Sequence, residues 1–115
     1  MNQEALEKEL TTAEIPFQRQ KRLNIFYNGK KLDKYFIADF VCYGHVILEI
    51  KAVSFINKSL EQQVVNYLKS TGMELGLLVN FGDKSLTWKR FINTHPRNPR
   101  PTERYLSFGQ ALKSA

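Results

Sequence analysis

Residues 38–51, which read ADFVCYGHVILEIK, decide the fold of this chain. Two apolar runs rich in β-branched and aromatic residues flank a short segment centred on Gly44, a pattern that predicts two strands joined by a tight loop. Three charged residues interrupt these runs, Asp39 in the first and Glu49 and Lys51 in the second. A charge in so apolar a strand is costly unless it has a partner, so these three residues are the first candidates for function.

The length of the loop decides whether these charges meet. A two-residue loop would place Asp39 and Glu49 on opposite faces of the hairpin, because a slip of one residue turns every side chain over. A three-residue loop, Tyr43-Gly44-His45, pairs Cys42 with Val46 and puts Asp39 directly across from Glu49, with β-carbons about 5 Å apart. We expect the three-residue loop.

Asp39, Glu49 and Lys51 together point to metal-assisted chemistry. Lys51 shares a face with Glu49 because the two are two residues apart in one strand. Adjacent carboxylates repel unless a divalent cation lies between them, and hard oxygen ligands with open water positions suit Mg²⁺ or Mn²⁺. Lys51 could then orient an attacking water or stabilise negative charge at phosphorus. From spacing alone, a structural salt-bridge cluster is the alternative.

The flanking sequence predicts a mixed α/β fold. Asn28-Gly29 marks a hairpin turn, Asn57 or Ser59 can cap a helix, and the apolar run at residues 75–80 is expected to be buried on both faces. The predicted elements are a helix at residues 3–13, strands at 22–27, 34–42 and 46–53, a helix ending near residue 70, and strands at 75–80 and 86–92. A mixed sheet of about five strands with helices packed on it accommodates this order.

Composition limits the class of protein. The chain has 115 residues, of which 43% are hydrophobic, enough for one modest core. No apolar run approaches the roughly 18 residues of a membrane-spanning helix, and residues 1–10 lack the apolar core of a secretion signal. Cys42 is the single cysteine, which excludes an internal disulfide and fits a reducing cytoplasm. We therefore expect a cytoplasmic protein that does not contact a membrane.

The charge balance favours a polyanionic partner. Lysine and arginine number 17 against 11 aspartate and glutamate, a formal net charge of +6, and such a field favours nucleic acid. We place a domain boundary at residue 93, with a basic, proline-rich extension over residues 94–115. Arg97, Arg100 and Arg104 in this extension are candidate phosphate contacts, and a solvated tail without contacts is the alternative.

An Asp on one strand followed by Glu-x-Lys on the next resembles the signature of the PD-(D/E)xK nuclease superfamily. More narrowly, residues 4–92 resemble the small bacterial GxxExxY proteins. The matching stretches are Ile15-Pro16-Phe17, Gly29-Lys30, Ala38-Asp39-Phe40, Leu48-Glu49-Ile50-Lys51-Ala52, Gln63, Asn66-Tyr67-Leu68-Lys69, Thr71-Gly72, residues 75–82 and Lys89-Arg90.

This resemblance implies a restriction-endonuclease-like α/β core and metal-dependent hydrolysis of phosphodiester bonds. We expect nucleic acid as the substrate, DNA before RNA. It also implies that Asp39 and Glu49 are ligands of Mg²⁺ or Mn²⁺ and that Lys51 is the catalytic lysine. Gln63 on the second helix matches a polar position that often faces such sites, and it is our second catalytic candidate. Tyr67 lies one helical turn further on the same side, where packing is the preferred interpretation.

One departure leaves the function open. The Gly-x-x-Glu-x-x-Tyr motif of the GxxExxY proteins is missing from the first helix; Glu4 aligns just after it, and the missing Glu would fall upstream of Met1. The sequence is thus consistent with a nuclease shortened at its N-terminus or with a non-catalytic nucleic-acid-binding module of the same fold. A third alternative is a subunit whose site is completed by a second copy or by a partner protein.

Overall fold

The computed structural model of the chain describes residues 3–82, 86–94 and 96. Its elements are α1 (Gln3–Thr12), β1 (Phe17–Tyr27), β2 (Lys30–Cys42), β3 (Val46–Lys51), α2 (Lys58–Thr71), β4 (Leu75–Asn80) and β5 (Thr87–Ile92). The strands form one sheet in the order β1-β2-β3-β4-β5, in which only β3 and β4 run parallel. The predicted mixed five-stranded sheet, with one helix before its first strand and one after its third, is confirmed.

The first two strands are longer than the sequence predicts. β1 begins at Phe17 rather than at residue 22, and β2 begins at Lys30 rather than at residue 34. The added residues are mostly polar and exposed, so no apolar alternation marks them as strand. Backbone pairing holds them instead, and the antiparallel register runs from Phe17 opposite Cys42 to Tyr27 opposite Lys30.

Two turns use left-handed backbone positions. Asn28 and Gly29 have φ angles of 50° and 78° and join β1 to β2, as predicted. Tyr43 and Gly44 have φ angles of 55° and 72° in the loop between β2 and β3. The left-handed conformation of Tyr43 is not foreseen from its residue type, since a bulky side chain rarely adopts it.

Helices cover both faces of the sheet. On one face, Leu6 and Leu10 of α1 are buried in a cluster with Phe40 and Leu48 of the sheet. On the other face, Leu68 of α2 belongs to a second cluster; its sheet residues are Phe36, Ala38, Val41 and Ile47. β4 lies between the two layers, and all six of its residues are buried, as the apolar run predicts.

α2 crosses from β3 to β4 and packs closely on the sheet. Asn57 caps the helix, accepting a hydrogen bond from the Leu60 backbone N–H at 2.9 Å, so Asn57 rather than Ser59 is the cap. Gly76 in β4 permits the close approach, because a Cβ at this position would lie 2.7 Å from Cγ1 of Val64. The distance between α2 and the sheet therefore depends on the absence of a side chain at Gly76.

Two further predictions concern membrane-spanning helices and the C-terminal extension. No helix within the described ranges is long and apolar enough to cross a membrane. Arg97, Arg100 and Arg104 lie outside the described residues, so the contacts expected of the extension stay a prediction. The boundary at residue 93 likewise stays a prediction.

Candidate functional site

The β2–β3 hairpin brings the two strand carboxylates together. Cys42 pairs with Val46 and Phe40 pairs with Leu48, so the three-residue loop is confirmed, and the next step of this register sets Asp39 across from Glu49. The backbone pairing ends at this point, and the carboxylates replace it. The Asp39 backbone N–H donates to Oε2 of Glu49 at 3.3 Å, and the Ile50 backbone N–H donates to Oδ2 of Asp39 at 2.8 Å. Each carboxylate is thus held by the main chain of the opposite strand.

Glu49 is the buried member of the carboxylate pair, and Asp39 is half-buried. Glu49 is 7% exposed, and burial raises the pKa of Glu49 from 4.5 to about 8, with a hydrogen bond from its carboxyl group to Asp39 and the charge of Asp39 adding to the rise. The Asp39 backbone N–H and the positive charge of Lys51 act in the opposite direction on this pKa. Without a cation, the nearby charge of Asp39 and the burial of Glu49 both favour the protonated form of Glu49.

This donor set fits a hard divalent cation. A cation between Asp39 and Glu49 would replace the proton on Glu49 and relieve the repulsion between two ionised groups. The described residues contain no cluster of three or more histidine, cysteine, aspartate or glutamate side chains suited to a metal. Of the described side chains of these types, two carboxylates would therefore hold the ion and water would fill its other positions, as Mg²⁺ commonly accepts.

Lys51 lies beside this pair. It is the last residue of β3, two residues after Glu49, and it is half-buried. Its backbone carbonyl accepts a hydrogen bond from the Phe81 N–H at 2.8 Å, which fixes the end of the strand. Within the described part of the chain, its ammonium group forms no ion pair, whereas Lys89 is paired with Glu61. The Lys51 charge therefore acts on the carboxylate site, where it lowers the pKa of Glu49.

Tyr67 of α2 lies near the carboxylates, and the exposed Gln63 is its hydrogen-bond partner. Tyr67 lies close enough to Glu49 and Asp39 for their charges to raise its pKa, after burial, which contributes most. The hydrogen bond between Gln63 and Tyr67 acts in the opposite direction. The Tyr67 ring also stacks on Phe36, with centroids 3.8 Å apart and planes 14° apart. The packing role predicted for Tyr67 is confirmed, and its proximity to the carboxylates is an additional finding.

Asn80 is a structural residue that the sequence analysis did not single out. Its buried side chain accepts a hydrogen bond from the Val53 N–H and donates one to the Val53 carbonyl, both at 2.9 Å. It also accepts one from the Gly82 N–H at 2.9 Å. Asn80 thereby holds the segment that follows Lys51 against the end of β4. The available signal was a polar residue closing an otherwise apolar strand.

The remaining candidate residues lie elsewhere. Glu4 on α1 is exposed and pairs with Lys8 at 3.9 Å. Cys42 is buried in the cluster under α1, and burial raises the pKa of its thiol to about 12. Such a thiol is a core residue rather than a nucleophile.

Comparison with known proteins agrees with this geometry. Residues 1–91 match a family model described as PD-(D/E)XK nuclease superfamily. The crystal structure of SSO0001 is similar in fold, with a TM-score of 0.57 and 17% sequence identity, and the match covers 95% of this chain. The chain spans 55% of that solved structure. No curated protein matches the sequence significantly.

Proposed function

Because the chain belongs to the PD-(D/E)XK nuclease superfamily, we propose that it hydrolyses phosphodiester bonds in nucleic acid with Mg²⁺ or Mn²⁺ held by Asp39 and Glu49. One observation carries this proposal. The hairpin register places two carboxylates opposite each other, fixed by cross-strand hydrogen bonds, with Lys51 on the same strand two residues after Glu49. A structural salt bridge needs one carboxylate for one lysine, whereas a second carboxylate beside it adds repulsion that a bound cation or a proton on Glu49 must relieve.

Each candidate residue would have its own role in phosphodiester hydrolysis. When bound, a divalent ion supplies Lewis-acid polarisation of a phosphoryl oxygen and lowers the pKa of coordinated water. Asp39 and Glu49 would hold the ion in a fixed position, because their oxygens are anchored to the opposite strand. Lys51 would orient the attacking water or stabilise the negative charge that develops on the phosphate oxygens. Gln63, linked to Tyr67 by a hydrogen bond, would hold a substrate phosphate or water from the side of α2.

The net charge of +6 supports a polyanionic substrate. We propose DNA before RNA on the basis of the family resemblance, and the test below includes both. We also propose that the chain is related to the GxxExxY proteins, because of the matching sequence stretches between Ile15 and Arg90. An in-frame Gly-x-x-Glu-x-x-Tyr upstream of Met1 in the gene would support it.

One specific observation favours a second candidate, a subunit whose site a partner chain or second copy completes. Glu4 pairs with Lys8 instead of joining the carboxylates, and the described residues supply only two acidic ligands. A third carboxylate would then come from another chain or from an upstream extension. In that case the isolated chain binds metal weakly, and cleavage appears on adding the missing segment.

The experiment is a cleavage assay on end-labelled DNA and RNA strands of one sequence with Mg²⁺, Mn²⁺ or EDTA. We expect metal-dependent cleavage of DNA by the wild-type chain. Lys51→Ala should lower the cleavage rate by about 10²–10⁴-fold, the range for a positioned acid–base group, while metal binding is retained. Lys69→Ala is the matched control, because Lys69 is an exposed lysine near the end of α2.

The two candidates give different results in this assay. Cleavage that resists EDTA, or equal rates for wild type and Lys51→Ala, would contradict the proposed site. Absence of cleavage by the chain, with cleavage by a version extended upstream or mixed with a partner, would favour the partner-completed subunit.

A further inference from the structure

The alternation of side chains along β1 and β2 breaks beside Asp39. In β2, Ala38 belongs to the cluster under α2 and Phe40 to the cluster under α1, although residues two apart in a regular strand share a face. In β1, Gln20 lies across from Asp39 and has a left-handed φ of 49°. The backbone pairing omits this position and continues in the same register on both sides of it. The two strands therefore turn over together at this point.

This turn brings Lys21 to the face of the sheet that carries the carboxylates. Lys21 pairs with Ala38, and cross-strand partners share a face, so Lys21 lies on the α2 side. Glu49 lies on the same side, because it follows Ile47 of the cluster under α2 by two residues. In a strand without the break, Lys21 would share the opposite face with Arg19, which forms an ion pair with α1.

Lys21 is a charged residue in an otherwise apolar row. It is half-buried, as are Leu23 and Ile25, which follow it along β1 and pack against the cluster under α2. Partial burial of a lysine among apolar side chains costs free energy unless its charge has a partner. Among the residues that the structure describes, the Lys21 ammonium group forms no ion pair. The neighbouring Arg22, by contrast, lies over the Tyr35 ring at 3.7 Å from its centroid.

Lys21 and Lys51 lie on opposite sides of the carboxylate pair. β2 lies between β1 and β3, so Asp39 separates Lys21 from Glu49 across the sheet. Neighbouring strands are about 4.8 Å apart, which places the backbones of β1 and β3 about 10 Å apart. This span compares with about 3.4 Å per nucleotide along one strand of a duplex. A phosphate at the carboxylates would thus have its neighbours in the same strand near these two lysines.

We propose that Lys21 binds a phosphate adjoining the one held at Asp39 and Glu49, and so fixes the path of the nucleic-acid strand across the sheet. This inference rests on the proposed function, because it assigns a further residue to the substrate of that site. A compact positive charge on a flexible four-carbon stem suits a phosphate. Backbone strain such as that at Gln20 persists where a site requires it, and here it accompanies the placement of Lys21.

The test is fluorescence anisotropy of an end-labelled 12-nucleotide thymidine strand titrated with the full chain in EDTA, which measures binding without cleavage. Lys21→Met keeps an unbranched side chain and removes the charge. It should raise the dissociation constant roughly tenfold, as expected for loss of one hydrogen bond to a charged group. The slope of log affinity against log salt should fall by about 0.7, the value for one phosphate contact of a single strand. Lys21→Arg retains the charge and should restore both.

Lys30→Met is the matched control. It removes the same charge from an exposed lysine at the start of β2, nine residues before Asp39. It should change neither the affinity nor the salt slope. In the cleavage assay, Lys21→Met should raise KM about tenfold and leave kcat nearly unchanged, because a contact made equally in the substrate complex and the transition state contributes to binding alone.

Other results would overturn the proposal. Equal affinity of Lys21→Met and wild type would do so, and an equal loss in Lys30→Met would show that net charge alone is responsible. A loss that Lys21→Arg does not restore would show a packing role instead of a phosphate contact. Cleavage with an unchanged KM in Lys21→Met would leave the nuclease proposal standing and refute this one. Strand binding that depends on Lys21 in a chain without cleavage activity would do the reverse.

Discussion

The raised pKa of Glu49 predicts an unusual dependence of stability on pH in the metal-free chain. In the unfolded chain Glu49 ionises near its ordinary value of 4.5, whereas in the folded chain burial and Asp39 raise its pKa to about 8. Between these values the folded state holds a proton that the unfolded state has released, so the free energy of unfolding falls as pH rises from 4.5 to about 8. The full difference in pKa corresponds to about 5 kcal/mol, which is an upper bound for a coupled pair.

The assay is urea unfolding in EDTA at several pH values between 4.5 and 9, followed by far-ultraviolet circular dichroism. Glu49→Gln keeps the shape of the side chain and removes its titration, so the difference between wild type and variant isolates Glu49 from other groups. Glu61→Gln serves as the control, because Glu61 lies near the surface in an ion pair with Lys89. Wild-type stability that stays level or rises between pH 5 and 8 relative to Glu49→Gln would refute the reasoning.

Two further predictions concern packing and the basic extension. Gly76→Ala should destabilise the chain by about 1–3 kcal/mol in urea unfolding, because its Cβ would lie 2.7 Å from Cγ1 of the buried Val64. The double variant with Val64→Ala should lose less stability than the sum of the two single variants, and a strictly additive loss would refute the contact. Changing Arg97, Arg100 and Arg104 together to Ala should weaken duplex DNA binding and reduce its slope against log salt by about 2–3, at roughly 0.9 per phosphate contact; an unchanged slope would indicate a solvated tail.

The hairpin at residues 38–51 shows how much of the candidate site could be predicted from the sequence. The choice between two registers followed from loop length, and the three-residue loop placed Asp39 opposite Glu49 because side chains alternate along a strand. Strand boundaries in β1 could not be predicted in the same way. Its polar residues are held by backbone pairing with β2, which residue-by-residue polarity does not reveal.

Long-range contacts account for the rest of what the sequence did not show. The sequence predicts a packing role for Tyr67, and its stacking on Phe36 agrees with that, but its proximity to Glu49 depends on how α2 crosses the sheet. Asn80 is separated from Val53 by 27 residues, so its role in holding the segment after β3 appears only when β3 and β4 lie side by side.

The most direct test of this account is calorimetric titration of the chain with Mn²⁺, paired with thermal unfolding. The wild-type chain should bind Mn²⁺ and, at a hundredfold excess over the dissociation constant, gain about 2.7 kcal/mol, or roughly 10 °C in melting temperature. Asp39→Asn and Glu49→Gln should each remove both the binding heat and the rise, while Glu61→Gln should keep both. Equal binding and an equal rise in all four proteins would contradict the claim that Asp39 and Glu49 form a metal site.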